Sequence, residues 1–274
     1  MSNRVALIAA GIVAAVVVVL LVLLSFGMLG NRAVPAVPTA QPDAAPSQSL
    51  ADADKKDIAM QLVSSAENSS LDWRAQYSYI EDIGDGRGYT AGIIGFCSGT
   101  GDMLELVRQY TAAVPDNPLA PYLPALESVD CTDSHEGLDP GFEDAWARAA
   151  LTPEFQAAQD AERDHVYFDP SVALAQEDGL GVLGQFAYYD AAVMHGFEGM
   201  QGIRSRALAA ADPADEVAYL QVFLDERETE MRKEAAHEDT TRVSTAQRVF
   251  LDDGNLDLHL PLRWHVYGDA FEID

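Results

Sequence analysis

Basic residues are scarce in this chain of 274 residues: 17 Lys and Arg stand against 44 Asp and Glu, for a formal net charge of −27. Nucleic acid and anionic lipid surfaces both need a basic face, so neither is expected as a partner. The acidity leaves two readings open, attraction of a cationic partner or polymer and simple solubility of an exported protein. Cysteine is nearly absent as well. Cys97 and Cys131 can pair in an oxidising compartment and close a 34-residue interval, or stand as two buried free thiols. Neither sits in a CxxC or Cys/His pattern, and the six histidines form no HExxH, so no metal and no cofactor is expected. The chain lacks GxSxG, the GKS or GKT tail of a phosphate loop and the ligand offsets of an EF-hand. Ser98, within FCSGTG at 96–101, therefore reads as turn chemistry. No internal repeat is present.

One long apolar run does exist. Residues 5–29 carry no charge and are dominated by Val, Ala, Leu and Ile, with Arg4 before them and Arg32 after. Such a run is long enough to span a bilayer, and longer than the ~7–15 residues of an ordinary signal core. Residues 1–30 are read as a signal peptide or an uncleaved membrane anchor. The small residues Val34-Pro35-Ala36 offer a cleavage point. Both readings export the rest, because Arg4 stays on the cytoplasmic side. Residues 31–50, rich in Pro, Ala, Ser and Gln, read as an extended linker. The expected location is extracellular, secreted or anchored to the cell membrane. Residues 51–274 are then one large domain or two lobes sharing a cleft, with 15 basic and 43 acidic side chains, a net charge of −28.

Within that unit, Ile58, Ala59, Leu62, Val63 and Ala66 fall at helical spacing until Asn68-Ser69-Ser70 breaks the pattern. Glu67 follows Ala66 directly and lies four residues after Val63. It is expected to emerge from the buried edge of the last turn, where apolar neighbours disfavour ionisation. Trp73, Ala75, Tyr77 and Tyr79 then alternate with polar residues, which predicts a short strand. A glycine-bearing turn at 83–88 follows, and a second strand-like run begins at Tyr89. Helical periods recur at about 102–113, 118–127, 141–150, 153–167, 179–195, 200–211, 213–236 and 241–252. The expected class is α+β, predominantly helical, with a small sheet near the start.

Glu67 on a helix and Asp85 in the glycine turn are two carboxylates in contrasting settings, the raw material of glycoside hydrolysis. An acid and a base of the inverting kind stand roughly 6.5–9.5 Å apart, and the retaining pair about 5–5.5 Å. Spacing alone does not distinguish them from an ordinary helix-end Glu and a turn Asp. Asp190 interrupts the apolar run 183–194, so it is expected to be buried against a cation, with Arg227 and Arg242 as candidates. That grouping is either a structural ion pair or a support behind a catalytic acid.

Seven segments carry a resemblance: SSAENSSLDW at 64–73, YIEDIGDGRGYT at 79–90, IIGFCSGTGDMLELV at 93–107, ERDHVYFDP at 162–170, GQFAYYDAAVMHG at 184–196, FLDERE at 223–228 and QRVFLDDGNLDL at 247–258. From about residue 54 to the end, the chain closely resembles glycoside hydrolase family 46, the chitosanases. The resemblance implies a lysozyme-like, two-lobed fold with a substrate cleft between the lobes. It also implies endo-hydrolysis of the β-1,4 links of chitosan, with inversion; a monomer is expected. By motif position Glu67 looks like the general acid and Asp85 like the base that activates water. Thr90 looks like a holder of that water, and Arg87 like a support of the same loop. Asp190, Arg227 and Arg242 look like a charge relay behind the acid, and Asp102 and His195 like sugar contacts in the cleft. The stretch from His195 to Gly202 is shorter than the family's usual loop.

Two alternatives stand beside this reading, a lysozyme-like hydrolase of peptidoglycan or chitin and a non-catalytic, chitosan-binding surface protein. Chitosan is a polycation when its glucosamine units are protonated, which gives the acidity a partner. Its affinity for the protein is expected to fall as salt is raised from 10 mM to 0.5 M, because screening shortens the reach of the charges. Binding at several ionic strengths measures this, and a salt-independent affinity removes the electrostatic term.

Overall fold

The computed structural model describes residues 48–233 and 238–274, which belong to one compact unit beginning at Pro46. The signal or anchor expected at 1–30, and the linker up to residue 47, lie outside the described residues. Ser49 and Leu50 already belong to the packing: Leu50 is buried, and its amide donates to Gln185 Oε1 at 2.9 Å. No helix among the described residues is long and apolar enough to cross a membrane.

Helix α1 runs Ala53–Asn68 and buries Ile58, Ala59, Leu62 and Val63. Ser69 closes it in the left-handed conformation, at the break expected from Asn68-Ser69-Ser70. The strand expected over 73–79 is instead a 3₁₀ helix, Trp73–Ser78. Its apolar anchors, Trp73 and Tyr77, are four residues apart, a spacing that fits both a strand and a helical turn. Asp72 decides between them by accepting the Ala75 amide, a helix-start bond. Trp146 Nε1 and Gln159 Nε2 then both donate to the Tyr77 carbonyl.

The antiparallel sheet follows, with β1 Ile80–Asp82, β2 Tyr89–Ala91 and β3 Phe96–Cys97 in that order. Asp82 pairs with Tyr89, which leaves residues 83–88 as the connecting loop. Gly88 is obligatory there: φ is +71°, and a Cβ would lie 2.3 Å from Ser98 Oγ.

The helices α2 Asp102–Ala113, α3 Leu123–Val129, α4 Phe142–Ala150 and α5 Pro153–Arg163 lie near the expected positions. A π turn at Asp164–Phe168 joins α5 to α6, Asp169–Glu177. Pro170 has no amide to offer the preceding turn, which suits a wider turn at that point. The two helices expected at 179–195 and 200–211 meet as α7, Val182–Ala210, across a kink at Gly196. Helix α8 spans Glu216–Met231, and a π turn at Val243–Gln247 leads into α9, Arg248–Asp252.

A C-terminal hairpin that the helical reading did not anticipate completes the described unit. Its strands are β4 Leu262–Val266 and β5 Asp269–Ile273. Leu262, Trp264 and Val266 face inward, and Trp264 Nε1 donates to Ser65 Oγ of α1 at 3.0 Å. The hairpin thus packs beside the end of α1 that carries Glu67. The observed class is α+β and predominantly helical, as expected. Cys97 is buried and Cys131 exposed, and both are free thiols.

Gly196 holds φ +71° and ψ 161°, a region open essentially only to glycine, and a Cβ there would meet nothing within 4 Å. Gly196→Ala is therefore expected to cost about 1–3 kcal/mol through backbone strain alone. Denaturant unfolding measures it, and unaltered stability would mean that the kink relaxes freely.

Candidate active site

A cleft of about 590 Å³ opens between two walls. Ile83, Arg87, Thr90, Gly92, Ile93 and Gly95 form the sheet wall, while Val193, Met194, Arg242 and Tyr267 come from the helical side and the hairpin. Glu67, at the end of α1, lies in the lining between them.

On the helical side, α7 places Asp190 in the core, where its carboxylate meets Arg242 from the segment leading into α9 and Arg227 from α8. Arg242 Nη2 lies 2.7 Å from Asp190 Oδ1, and its Nε donates at 3.1 Å. Arg227 Nη2 lies 2.7 Å from Asp190 Oδ2, and Gln247 Nε2 donates to the same oxygen at 2.6 Å. All three ionic side chains are buried. Burial alone would push the Asp190 carboxyl up, but the fields and hydrogen bonds of Arg242 and Arg227 outweigh it and hold the group at about 2. Burial pulls Arg227 below its usual value. Arg242 is raised, because Asp190 and Glu67 together outweigh its own burial.

The remaining amino group of Arg242, Nη1, donates to Glu67 Oε1. Glu67 therefore does not occupy the apolar pocket expected from its helix position. Its side chain is 38% exposed, and its contact is ionic. The partner lies 175 residues away, beyond the reach of local periodicity.

On the sheet side, Asp85 sits in the 83–88 loop against Arg87. Arg87 Nε and Nη2 donate to Oδ2 at 2.8 and 2.6 Å, and the Arg87 amide donates to Oδ1 at 3.1 Å. These bonds, the Arg87 side chain foremost, hold the Asp85 carboxyl below its usual value against the opposing effect of burial. Arg87 lines the cleft, and it holds Asp85 from within the same loop. Thr90 is buried on β2 and reaches the cleft, its Oγ1 3.5 Å from Cys97 Sγ.

The structure thus joins Glu67, Arg87, Thr90 and Arg242 in one cleft, with Asp190 and Arg227 behind. Asp102 is placed differently. Its Oδ1 accepts the Cys97 amide at 3.1 Å and the Thr100 hydroxyl at 2.6 Å, so the carboxylate is engaged in tying β3 to α2. His195 stands at the α7 kink, next to the cleft-lining Met194.

Sequence reasoning passed over His135. Its ring stacks on Tyr89 at 4.1 Å, and its Nε2 and Nδ1 lie 3.3 Å from Asp82 and 3.6 Å from Asp139. It fastens both ends of the Asp85 loop, at Asp82 and Tyr89, to the 133–139 segment. Nothing local around His135 signals this.

With Glu67 held by Arg242 in the cleft lining, and an aspartate clamped by the cleft-lining Arg87, the geometry suits a two-carboxylate hydrolase. Residues 61–262 match the sequence profile of glycosyl hydrolase family 46. The chain belongs to this family. It is 61% identical over 233 residues to a chitosanase of Streptomyces sp. (strain N174), covering 82% of this chain and 84% of that protein. A chitosanase of Nocardioides sp. (strain N106) is 60% identical over the same length and shares. Among solved structures, a co-crystal structure of chitosanase OU01 with substrate has a TM-score of 0.80 at 60% identity, covering 83% of this chain and 100% of that one. A complex of a Gynuella sunshinyii family 46 chitosanase with chitotetraose has a TM-score of 0.73 at 36% identity, covering 81% and 98%. This chain is therefore a glycoside hydrolase by membership, with the fold that the resemblance implied.

The buried carboxylate generates a stability prediction. Asp190 titrates at about 2 in the folded protein against ~3.9 in an unfolded chain. Its stabilising contribution is fully present above ~4 and is lost as pH falls through about 2. Asp190→Asn leaves buried Arg227 without its anion and Arg242 with Glu67 alone, and is expected to cost about 3–5 kcal/mol near neutral pH. Urea unfolding of both proteins from pH 7 to pH 2 checks this, with the gap narrowing only below pH ~4.

Proposed function

We propose that this protein is an endo-acting, inverting chitosanase that cleaves β-1,4 links between glucosamine units. Glu67 is the general acid and Asp85 the base. What supports the reading is that Glu67, held by Arg242, lines one cleft together with Arg87, the residue that clamps Asp85, in a family whose solved members include substrate complexes.

Glu67 Oε1 accepts from Arg242, which leaves Oε2 to carry and deliver a proton to the leaving glycosidic oxygen. While Glu67 carries its proton, Asp190, Arg242 and Arg227 leave one net positive charge beside it, and the four groups balance once the proton has been delivered. Arg242 thereby orients Glu67 while Asp190 offsets its charge. On the other side, Arg87 keeps Asp85 ionised, as a base must be. A carboxylate has about four lone-pair sites, so the three Arg87 bonds leave room for a water. Thr90 helps position that water, and the water attacks the anomeric carbon from the face opposite the leaving group. Asp102 holds the loop beside the sheet wall, and His195 stands at the α7 bend next to Met194, so that both shape the surface that meets sugar.

Protonated glucosamine units suit the acidic surface, which raises the local concentration of the polymer. The protein acts as an exported monomer, with residues 1–30 serving as signal or anchor.

Glu67→Gln and Asp85→Asn are each expected to lower kcat on chitosan by roughly 10²- to 10⁴-fold while leaving the fold intact. Reducing-end assays with circular dichroism measure both, and near-normal turnover by either variant removes its assigned role. Product size and anomeric configuration, followed by NMR from the first minutes, test the rest. Short oligosaccharides of inverted configuration are expected, and retained configuration would overturn the water-activating role of Asp85.

A further inference from the structure

The hairpin β4–β5 turns through two residues, Tyr267 and Gly268, because Val266 pairs with Asp269. Both have positive φ, +51° and +93°, the pattern of a type I′ turn. That turn favours Asn-Gly or Asp-Gly. Gly268 fits, whereas Tyr267 places a bulky side chain in the left-handed region, at a cost on the order of 1 kcal/mol or more. Packing does not account for the choice. Trp264 and Phe271 stack on each other within the hairpin, while Tyr267 is 42% exposed.

Its side chain instead lines the cleft together with Glu67, Arg242 and Met194. The turn is fixed in place as well. The Tyr267 amide donates to Thr241 Oγ1 at 2.9 Å, next to Arg242, and Thr245 Oγ1 donates to the His265 carbonyl at 2.7 Å. A rigid element therefore holds an exposed aromatic ring beside Glu67.

We infer that Tyr267 is a substrate-binding residue, a platform for a glucosamine unit on the Glu67 side of the cleft, and that its left-handed backbone is retained for that contact. The ring offers an apolar face to a sugar and a π-face to an ammonium group. This rests on the reading of the cleft as a chitosan site.

The test uses the full chain and two replacements that suit a positive φ, Tyr267→Asn and Tyr267→Gly, with Tyr267→Phe as the conservative control. Thermal unfolding and steady-state kinetics on chitosan are measured in parallel. The Asn variant is expected to unfold at the same or a higher temperature and to show a KM raised roughly 3- to 30-fold. The Phe variant, which keeps the ring, is expected to recover most of that loss. An Asn and a Gly variant with unaltered KM overturn the inference. So does a fall in unfolding temperature that accompanies every loss of affinity, since Tyr267 is then structural. Failure of the unmodified protein to cleave chitosan counts against the proposed function instead, which keeps the two ideas separate.

Discussion

The structure depends on one buried carboxylate. Asp190 stands in the core with an arginine on each side, and those arginines come from different elements, α8 and the segment leading into α9. Neither arginine is stable in the core without it, and it is not stable without them. Helices α7, α8 and α9 are consequently bound to one arrangement by charge as well as by packing. The same arginine that completes this arrangement reaches Glu67 on α1. The position of the proposed acid is therefore set by the core of the helical side rather than by the end of its own helix.

The two walls of the cleft are built on different principles. Behind Glu67 stand a buried ionic group, the hairpin and the packed face of α1, so that side is preorganised. Asp85 lies in an exposed loop rich in glycine, clamped by its neighbour Arg87 and fastened at its base through His135. An exposed ion pair of this kind contributes little stability, and its work is orientation. The acid side resembles a fixed post, and the base side a hinged arm with a local brace.

Much of this was legible in the residues. The apolar period of α1 and its break at Asn68-Ser69-Ser70 placed Glu67 at a helix end. The lone Asp190 in an apolar run implied buried cations, with Arg227 and Arg242 as candidates that the family resemblance singled out. Other features exceeded what local pattern can carry. Trp73 and Tyr77 fit two periods equally, and only the Asp72 cap resolves them. The setting of Glu67 was misjudged because its partner comes from the far end of the chain. The hairpin at 262–273 was missed after a long series of helices, and with it Tyr267, whose meaning appears only when its φ and its place in the cleft are both known.

Charge does two separate jobs in this protein. The whole chain carries −27, yet the groups around the proposed acid sum to zero once Glu67 has given up its proton, as do Asp85 and Arg87. The field that would draw in a polycation comes from the remaining surface, not from the reacting carboxylates. That field reaches about a Debye length and weakens with salt, whereas the buried pairs are screened much less. Encounter and chemistry can therefore be altered independently. Surface carboxylates can vary without disturbing the protonation of the site, and the pairs around Glu67 and Asp85 can be conserved while the outer charge drifts. This separation also explains how so acidic a chain keeps an ionised Asp85, since Arg87 supplies locally what the net charge opposes.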